Sequence, residues 1–183
     1  MEKIADFLFE AGMLKRIPRS GYHFLGGGKE SVAEHSFMIT TIAFALSRMD
    51  REVDAGKLLA MCLLHDLPEA RTGDLNYVQK KYCSADEGRA IDDQARGLPF
   101  GEEYKALVAE FNACETRESK LAKDADQLAF VLDLRTLIDT GHNGADKWLA
   151  VVMERLVTDT GRQLADAILA RAWDDWWLNG YSE

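Results

Sequence analysis

Five side chains in this sequence could do chemistry together: His35, the adjacent pair His65 and Asp66, and the aspartates Asp124 and Asp126. They fall on three separate helical segments, so no local spacing accounts for them. Imidazole nitrogens and carboxylate oxygens are donors that borderline and hard divalent cations accept, and a set of two histidines with two carboxylates suits Mn, Fe, Co, Ni or Zn. Soft thiolate chemistry is absent, because Cys62, Cys83 and Cys114 are odd in number and outside any CxxC pattern. A single histidine in a helical protein is usually a satisfied core or surface residue, and His23 and His142 fall in loops and read as solvated. His65 and Asp66 are harder to set aside: burying an imidazole beside a carboxylate is costly unless each is hydrogen-bonded or bound to an ion.

The elements that must position these groups read as all-α, with only three prolines and almost no strict apolar alternation. Ile4, Phe7, Leu8, Ala11 and Leu14 make one apolar face of a first helix, which Pro18 and Gly21 stop. A loop from Arg16 to Glu30 follows, carrying Arg16, Arg19, Tyr22 and His23. Its run Gly26-Gly27-Gly28 lacks the following GK[ST] of a phosphate-binding loop and reads as a hinge. A second helix starts near Ser31, with Glu34 as capping-box partner, and puts His35 in its first turns. A third, from about Val53, contains the run LLAMCLLH, apolar nearly all round as in an enclosed central helix. Pro68 and Gly73 then leave Asp66, Glu69, Arg71 and Asp74 in or near a projecting turn.

Residues 76–101 are polar and read as a mobile insertion ending in a Gly97–Gly101 turn. Further helices are expected over Glu102–Cys114, Glu118–Thr140, Ala145–Leu156 and Thr160–Leu178. On the long one, Leu121, Ala125, Leu128, Ala129 and Leu132 form the apolar face, and Asp124 and Asp126 flank it about 100° to either side. Both can reach inward.

The 183 residues fit one domain spanning 1–183. No apolar run approaches the roughly 18 residues of a membrane span, and MEKIADFLFEAG lacks the layout of a signal peptide. A soluble, cytoplasmic protein with no membrane partner is expected. A net charge of −9 gives no overall attraction for a nucleic-acid polymer, yet leaves room for a small anionic substrate where basic residues gather.

Three segments carry a family resemblance: VAEHS at 32–36, HDLPEARTGDL at 65–75 and KDADQL at 123–128 are similar to the signature of the HD-domain metal-dependent phosphohydrolases. The segment LKRIPRSGY at 14–22 resembles the start of its 5'-deoxynucleotidase branch, which includes bacterial dNMP phosphatases and the eukaryotic HD domain-containing protein 2. The resemblance implies a single HD-domain helical fold and a cation held by His35, His65, Asp66 and Asp126, the last chosen over Asp124 because the family's ligand follows the lysine by three residues. The metal, whether Mn, Co, Fe, Ni, Zn or Mg, stays open.

The resemblance further implies catalytic roles for Glu69 and Asp74, and phosphate binding by Arg19, with Arg16 as competitor and Lys123 adding charge. The expected reaction is hydrolysis of deoxyribonucleoside 5'-monophosphates. Another HD reaction, on a cyclic nucleotide, a triphosphate or a ppGpp-like alarmone, is the alternative, as is a regulatory module that binds metal or nucleotide without turnover. A homodimer is expected, with Trp173, Trp176 and Trp177, spaced three and four apart, sharing a helical face that serves an interface or the core.

Overall fold

The computed structural model describes residues 1–142 and 144–181, and in them the chain forms helices without a strand. These are α1 (Glu2–Met13), α2 (Val32–Met49), α3 (Ala55–Leu64), α4 (Glu69–Thr72), α5 (Glu87–Ala95), α6 (Gly101–Ala113), α7 (Arg117–Asp139), α8 (Ala145–Met153), α9 (Asp159–Leu169) and α10 (Asp175–Leu178). None of the helices is long and apolar enough to cross a membrane.

The centre is the packing of α2, α3 and α7 on one another, with α6 and α9 closing the sides. Ile39, Leu46, Leu58, Met61, Leu121, Ala125 and Leu128 meet there fully buried, so the apolar face expected on α7 is the one that enters the core. A second cluster joins α1 to α4, α5 and α6 around Leu14, Leu67, Tyr104 and Val108. A third joins α7 to α8 around Val131, Leu134 and Val152.

Two helix starts are set by side chains. The Ser31 hydroxyl accepts the Glu34 N–H, and the Glu34 carboxylate accepts the Ser31 N–H at 2.7 Å, so the capping box is complete and fixes where α2 begins. Asp54 caps α3 through the Lys57 N–H at 3.1 Å. The α3 helix ends at Leu64, which places His65 at its C-cap and Asp66 just beyond.

Several expectations need correction. Phe7, Ala11 and Leu14 of α1 do pack inward, but Leu8 is 63% exposed. The α3 helix is not enclosed on every side, since Leu63 is 54% exposed. The loop before α2 is stapled: Arg19 N–H donates to the Glu30 carbonyl at 2.8 Å and Val32 N–H to the Ile17 carbonyl at 2.9 Å. Gly27 and Gly28 serve close packing rather than a hinge. A Cβ on Gly27 would run into the His142 ring, and one on Gly28, at φ 76°, would sit 3.0 Å from the Tyr22 ring.

Within 76–101 the chain forms a 3-10 turn at Gln79–Lys81 and the helix α5, which buries Ala90, Gln94 and Ala95. The last expected helix is broken between Leu169 and Asp175. There Trp173 N–H donates to Asp139 at 2.9 Å and the Arg171 carbonyl accepts from Arg135 at 3.0 Å, so side chains of α7 take backbone groups that a continuous helix would use. Trp173 consequently does not share a helix with Trp176 and Trp177.

Candidate active site

Three helices bring four side chains into neighbouring positions: His35 from the first turn of α2, His65 and Asp66 from the end of α3, and Asp126 from the middle of α7. His35 Nε2 lies 2.9 Å from Asp126 Oδ1 and 4.0 Å from Asp66 Oδ2, and His65 Nε2 lies 3.2 Å from Asp66 Oδ1. Each imidazole is held from behind. His65 Nδ1 donates to the Cys62 carbonyl at 3.1 Å, an arrangement that puts the proton on Nδ1 and leaves the Nε2 lone pair facing the cluster. His35 Nδ1 faces Glu30 Oε2 at 3.4 Å. Anchoring the far nitrogen in this way orients an imidazole toward a metal.

The electrostatics are those of charges crowded out of water. Burial opposes a charge on His35, but the carboxylates of Asp126 and Glu30 outweigh it and raise its pKa to about 9. Burial likewise opposes ionisation of Asp66, yet His65, Arg19 and His35 hold it down to about 2. Asp126 is also lowered, against its burial, by His35, His65 and Arg19. Asp66 Oδ2 is nonetheless buried without a hydrogen bond among the described residues. An ionised oxygen in that position, 4.0 Å from His35 Nε2 and on the carboxylate that His65 Nε2 approaches, has the donor chemistry that a divalent cation accepts.

Asp124 belongs elsewhere. Fully buried, it accepts the backbone N–H groups of Val157 at 2.6 Å and Thr158 at 2.9 Å, together with the Thr158 hydroxyl, and so ties α7 to the start of α9. Asp124 and Asp126 are two residues and about 200° apart on the helix, so only one of them can face His35.

Arg19 does lie at the cluster, with Nη1 3.5 Å from Asp66 Oδ2 and Nε 4.0 Å from Asp74 Oδ2. Asp74 Oδ2 also accepts the Ser20 N–H at 2.7 Å. Arg16 is exposed and makes no ion pair in the described residues. Glu69, at the start of α4, is pushed up to about 9 by burial and by the charges of Asp66 and Asp74, and its Oε2 has no hydrogen-bond partner among the described residues. Lys123 places its ammonium 3.6 Å from the centroid of the Phe111 ring, against which His65 also packs at 4.2 Å. It borders the cluster through that ring, and burial lowers its pKa.

The profile described as HD domain matches residues 11–169. The chain belongs to the HD domain family. Among its relatives is 5'-deoxynucleotidase HDDC2 of Dictyostelium discoideum, 28% identical over 144 residues that cover 72% of this chain and 76% of the relative. Among solved structures, a conserved hypothetical protein from Pyrococcus furiosus superposes with a TM-score of 0.79 at 29% identity, covering 91% of this chain and 99% of its own. A predicted metal-dependent phosphohydrolase from Magnetospirillum magnetotacticum gives 0.73 at 26% identity, covering 93% and 91%. This chain is an HD-domain metal-dependent phosphohydrolase.

Around the cluster, this HD domain has features that sequence reasoning missed. Glu30 behind His35 carries no sequence signal beyond preceding the N-cap. Tyr22 donates its hydroxyl proton to Asp133 of α7, whose pKa burial raises. Beside Arg19 and Asp74 opens a cavity of about 160 Å³, walled by Tyr77, Phe130 and Trp148, with Arg155 at its edge. Trp148 meets Phe130 at a centroid distance of 6.0 Å and Tyr77 at 6.3 Å, both edge to face. Trp148 sits on the helix expected over Ala145–Leu156, and nothing in its sequence separates a cavity wall from core.

Proposed function

We propose that this HD-domain phosphohydrolase hydrolyses deoxyribonucleoside 5'-monophosphates to deoxynucleoside and phosphate, with a divalent cation held by His35, His65, Asp66 and Asp126. The observation that carries the reading is the convergence of those four donors beside Arg19, Glu69 and Asp74, in a chain whose relatives are named 5'-deoxynucleotidases. A cation in that donor set would supply Lewis acidity, drawing charge from a phosphoryl oxygen and easing deprotonation of water.

The remaining work falls to the chain's own side chains. Arg19, fixed between Asp66 and Asp74, presents a guanidinium to the phosphate, for which its planar fork is suited. Glu69 is kept protonated by burial and by its acidic neighbours, so it gives its proton to the departing 5'-oxygen. Asp74, oriented by the Ser20 N–H, accepts the proton of the attacking water. Water attacks phosphorus directly and no phosphoenzyme forms. Lys123 adds positive charge at the edge of the site. Exposed Phe37, Phe44 and Trp176 support a homodimer as the working state, which sedimentation velocity would test.

Phosphate release from matched deoxy- and ribonucleoside 5'-monophosphates, with the 3'-monophosphates alongside, tests the reading. Release confined to 5'-esters and faster for the deoxy series supports it. Turnover only of cyclic nucleotides, triphosphates or alarmones would replace it.

A further inference from the structure

The cavity beside Arg19 and Asp74 has two chemically different ends. At one end stand the groups assigned above to the phosphate. At the other, Tyr77 and Asn76 from the loop after α4 meet Trp148 and Arg155 from α8 and its C-terminal edge. Trp148 lies on α8, and Arg155 lies in the turn just past its C-terminal end. About 160 Å³ is well below the roughly 300 Å³ at the lower end of ordinary small-molecule sites, so a nucleotide fills it and leaves part of its base at the edge, where Arg155 is exposed.

Two side chains at this second end, Asn76 and Arg155, present donors. Asn76 spends its carbonyl oxygen on the N–H groups of Val78 at 3.1 Å and Gln79 at 3.0 Å, and its Nδ2 makes no hydrogen bond among the described residues. The Arg155 guanidinium has no carboxylate within ion-pair distance among those residues, although the chain is strongly acidic. Arginine and an amide NH2 offer protons and accept none. A base with a carbonyl oxygen facing them gains a hydrogen bond, whereas an exocyclic amine in the same place meets a like partner.

We propose that this end of the cavity is the nucleoside subsite, in which Tyr77 and Trp148 wall the sugar and base and Arg155 selects keto bases over their amino counterparts. The inference rests on the nucleotidase reading for its ligand class, but the selectivity is assigned to Arg155. Two matched comparisons, in which only the exocyclic group and the proton on the neighbouring ring nitrogen change, test the effect: deoxyinosine against deoxyadenosine, and thymidine against 5-methyl-deoxycytidine.

Dissociation constants of these four nucleosides, which carry no phosphate, would be measured by calorimetry on wild-type protein, Arg155→Met and Trp148→Leu, together with hydrolysis of their 5'-monophosphates and of deoxyribose 5-phosphate. Each keto member should bind about tenfold more tightly than its amino partner. Arg155→Met should bring that ratio to about one while leaving deoxyribose 5-phosphate hydrolysis unchanged, and Trp148→Leu should weaken all four alike. Equal binding within each pair, or a ratio that survives Arg155→Met, overturns the proposal. An Arg155→Met protein that loses deoxyribose 5-phosphate hydrolysis also overturns it, because Arg155 would then be a phosphate ligand. Keto-selective nucleoside binding without monophosphate hydrolysis upholds the subsite and removes the nucleotidase reading, whereas hydrolysis without base selectivity does the reverse.

Discussion

Asp124 and Asp126 are two residues apart and do opposite work, and two substitutions should separate them. Asp126→Ala removes the carboxylate that faces His35, so metal content and phosphate release should fall together while the helical circular dichroism is kept. Asp124→Ala strips a fully buried acceptor from two backbone N–H groups and a hydroxyl. Bonds to a charged acceptor are worth roughly 1.5–3 kcal/mol each and are not additive, so a loss of about 3 kcal/mol or more in denaturant unfolding is expected, with turnover per folded molecule little changed. Glu69→Gln keeps the shape but has no acidic proton, and should lower kcat about a hundredfold or more with metal content unchanged. A kcat within a few-fold of wild type would show that Glu69 is not the acid.

At the scale of elements, the one-turn helix α4 that carries Glu69 is too short to hold itself in place. Arg71 clamps it to α1 by donating from Nε and Nη2 to the Glu10 carboxylate at 2.5 and 2.9 Å. Gln94 adds a bond to Glu10 at 2.8 Å and accepts the Tyr104 hydroxyl at 2.7 Å, which joins α5 and α6 to the same clamp. The Arg71 bond draws the Glu10 pKa below its ordinary 4.5, against partial burial. A depressed carboxylate pKa contributes stability that is present above the unfolded value and lost as pH falls through the folded one. Glu10→Gln should therefore cost about 1 kcal/mol at pH 7, the modest worth of a half-exposed pair, and the difference from wild type should shrink below about pH 4 in pH-dependent urea unfolding.

Elements also show what the sequence could and could not convey. Ser31 with Glu34, and the apolar periodicity of α7, announce their helices because capping and burial are local demands that leave a local pattern. The break in the final helix was not legible, because it depends on Arg135 and Asp139, more than thirty residues upstream, taking its backbone groups. The same holds for the site. His35, His65 and Asp66 stand out by type and setting, whereas Glu30, Tyr77, Trp148 and Arg155 gain meaning only from what the fold places beside them.

For the molecule as a whole, α2, α3 and α7 form both the centre of the core and the source of the four donors, so cation binding should couple to global stability. A cation bound only by the folded state at a hundred times its dissociation constant stabilises by about 2.7 kcal/mol. For a chain of this length that is a rise in Tm of roughly 5–10 °C, which differential scanning calorimetry before and after chelation should resolve. With one of the four proposed donors removed, Asp66→Ala should show no such rise.

The central claim is that the cluster of His35, His65, Asp66 and Asp126 is a metal-dependent phosphohydrolase centre. It is tested most directly by phosphate release from a deoxyribonucleoside 5'-monophosphate, using metal-stripped protein before and after addition of Mn, Co or Mg, with Asp66→Ala as control. The account predicts no release from stripped protein, recovery with at least one of the cations, and none from the variant at any cation concentration. Release from stripped protein equal to that after metal addition, or full activity in Asp66→Ala, would contradict it.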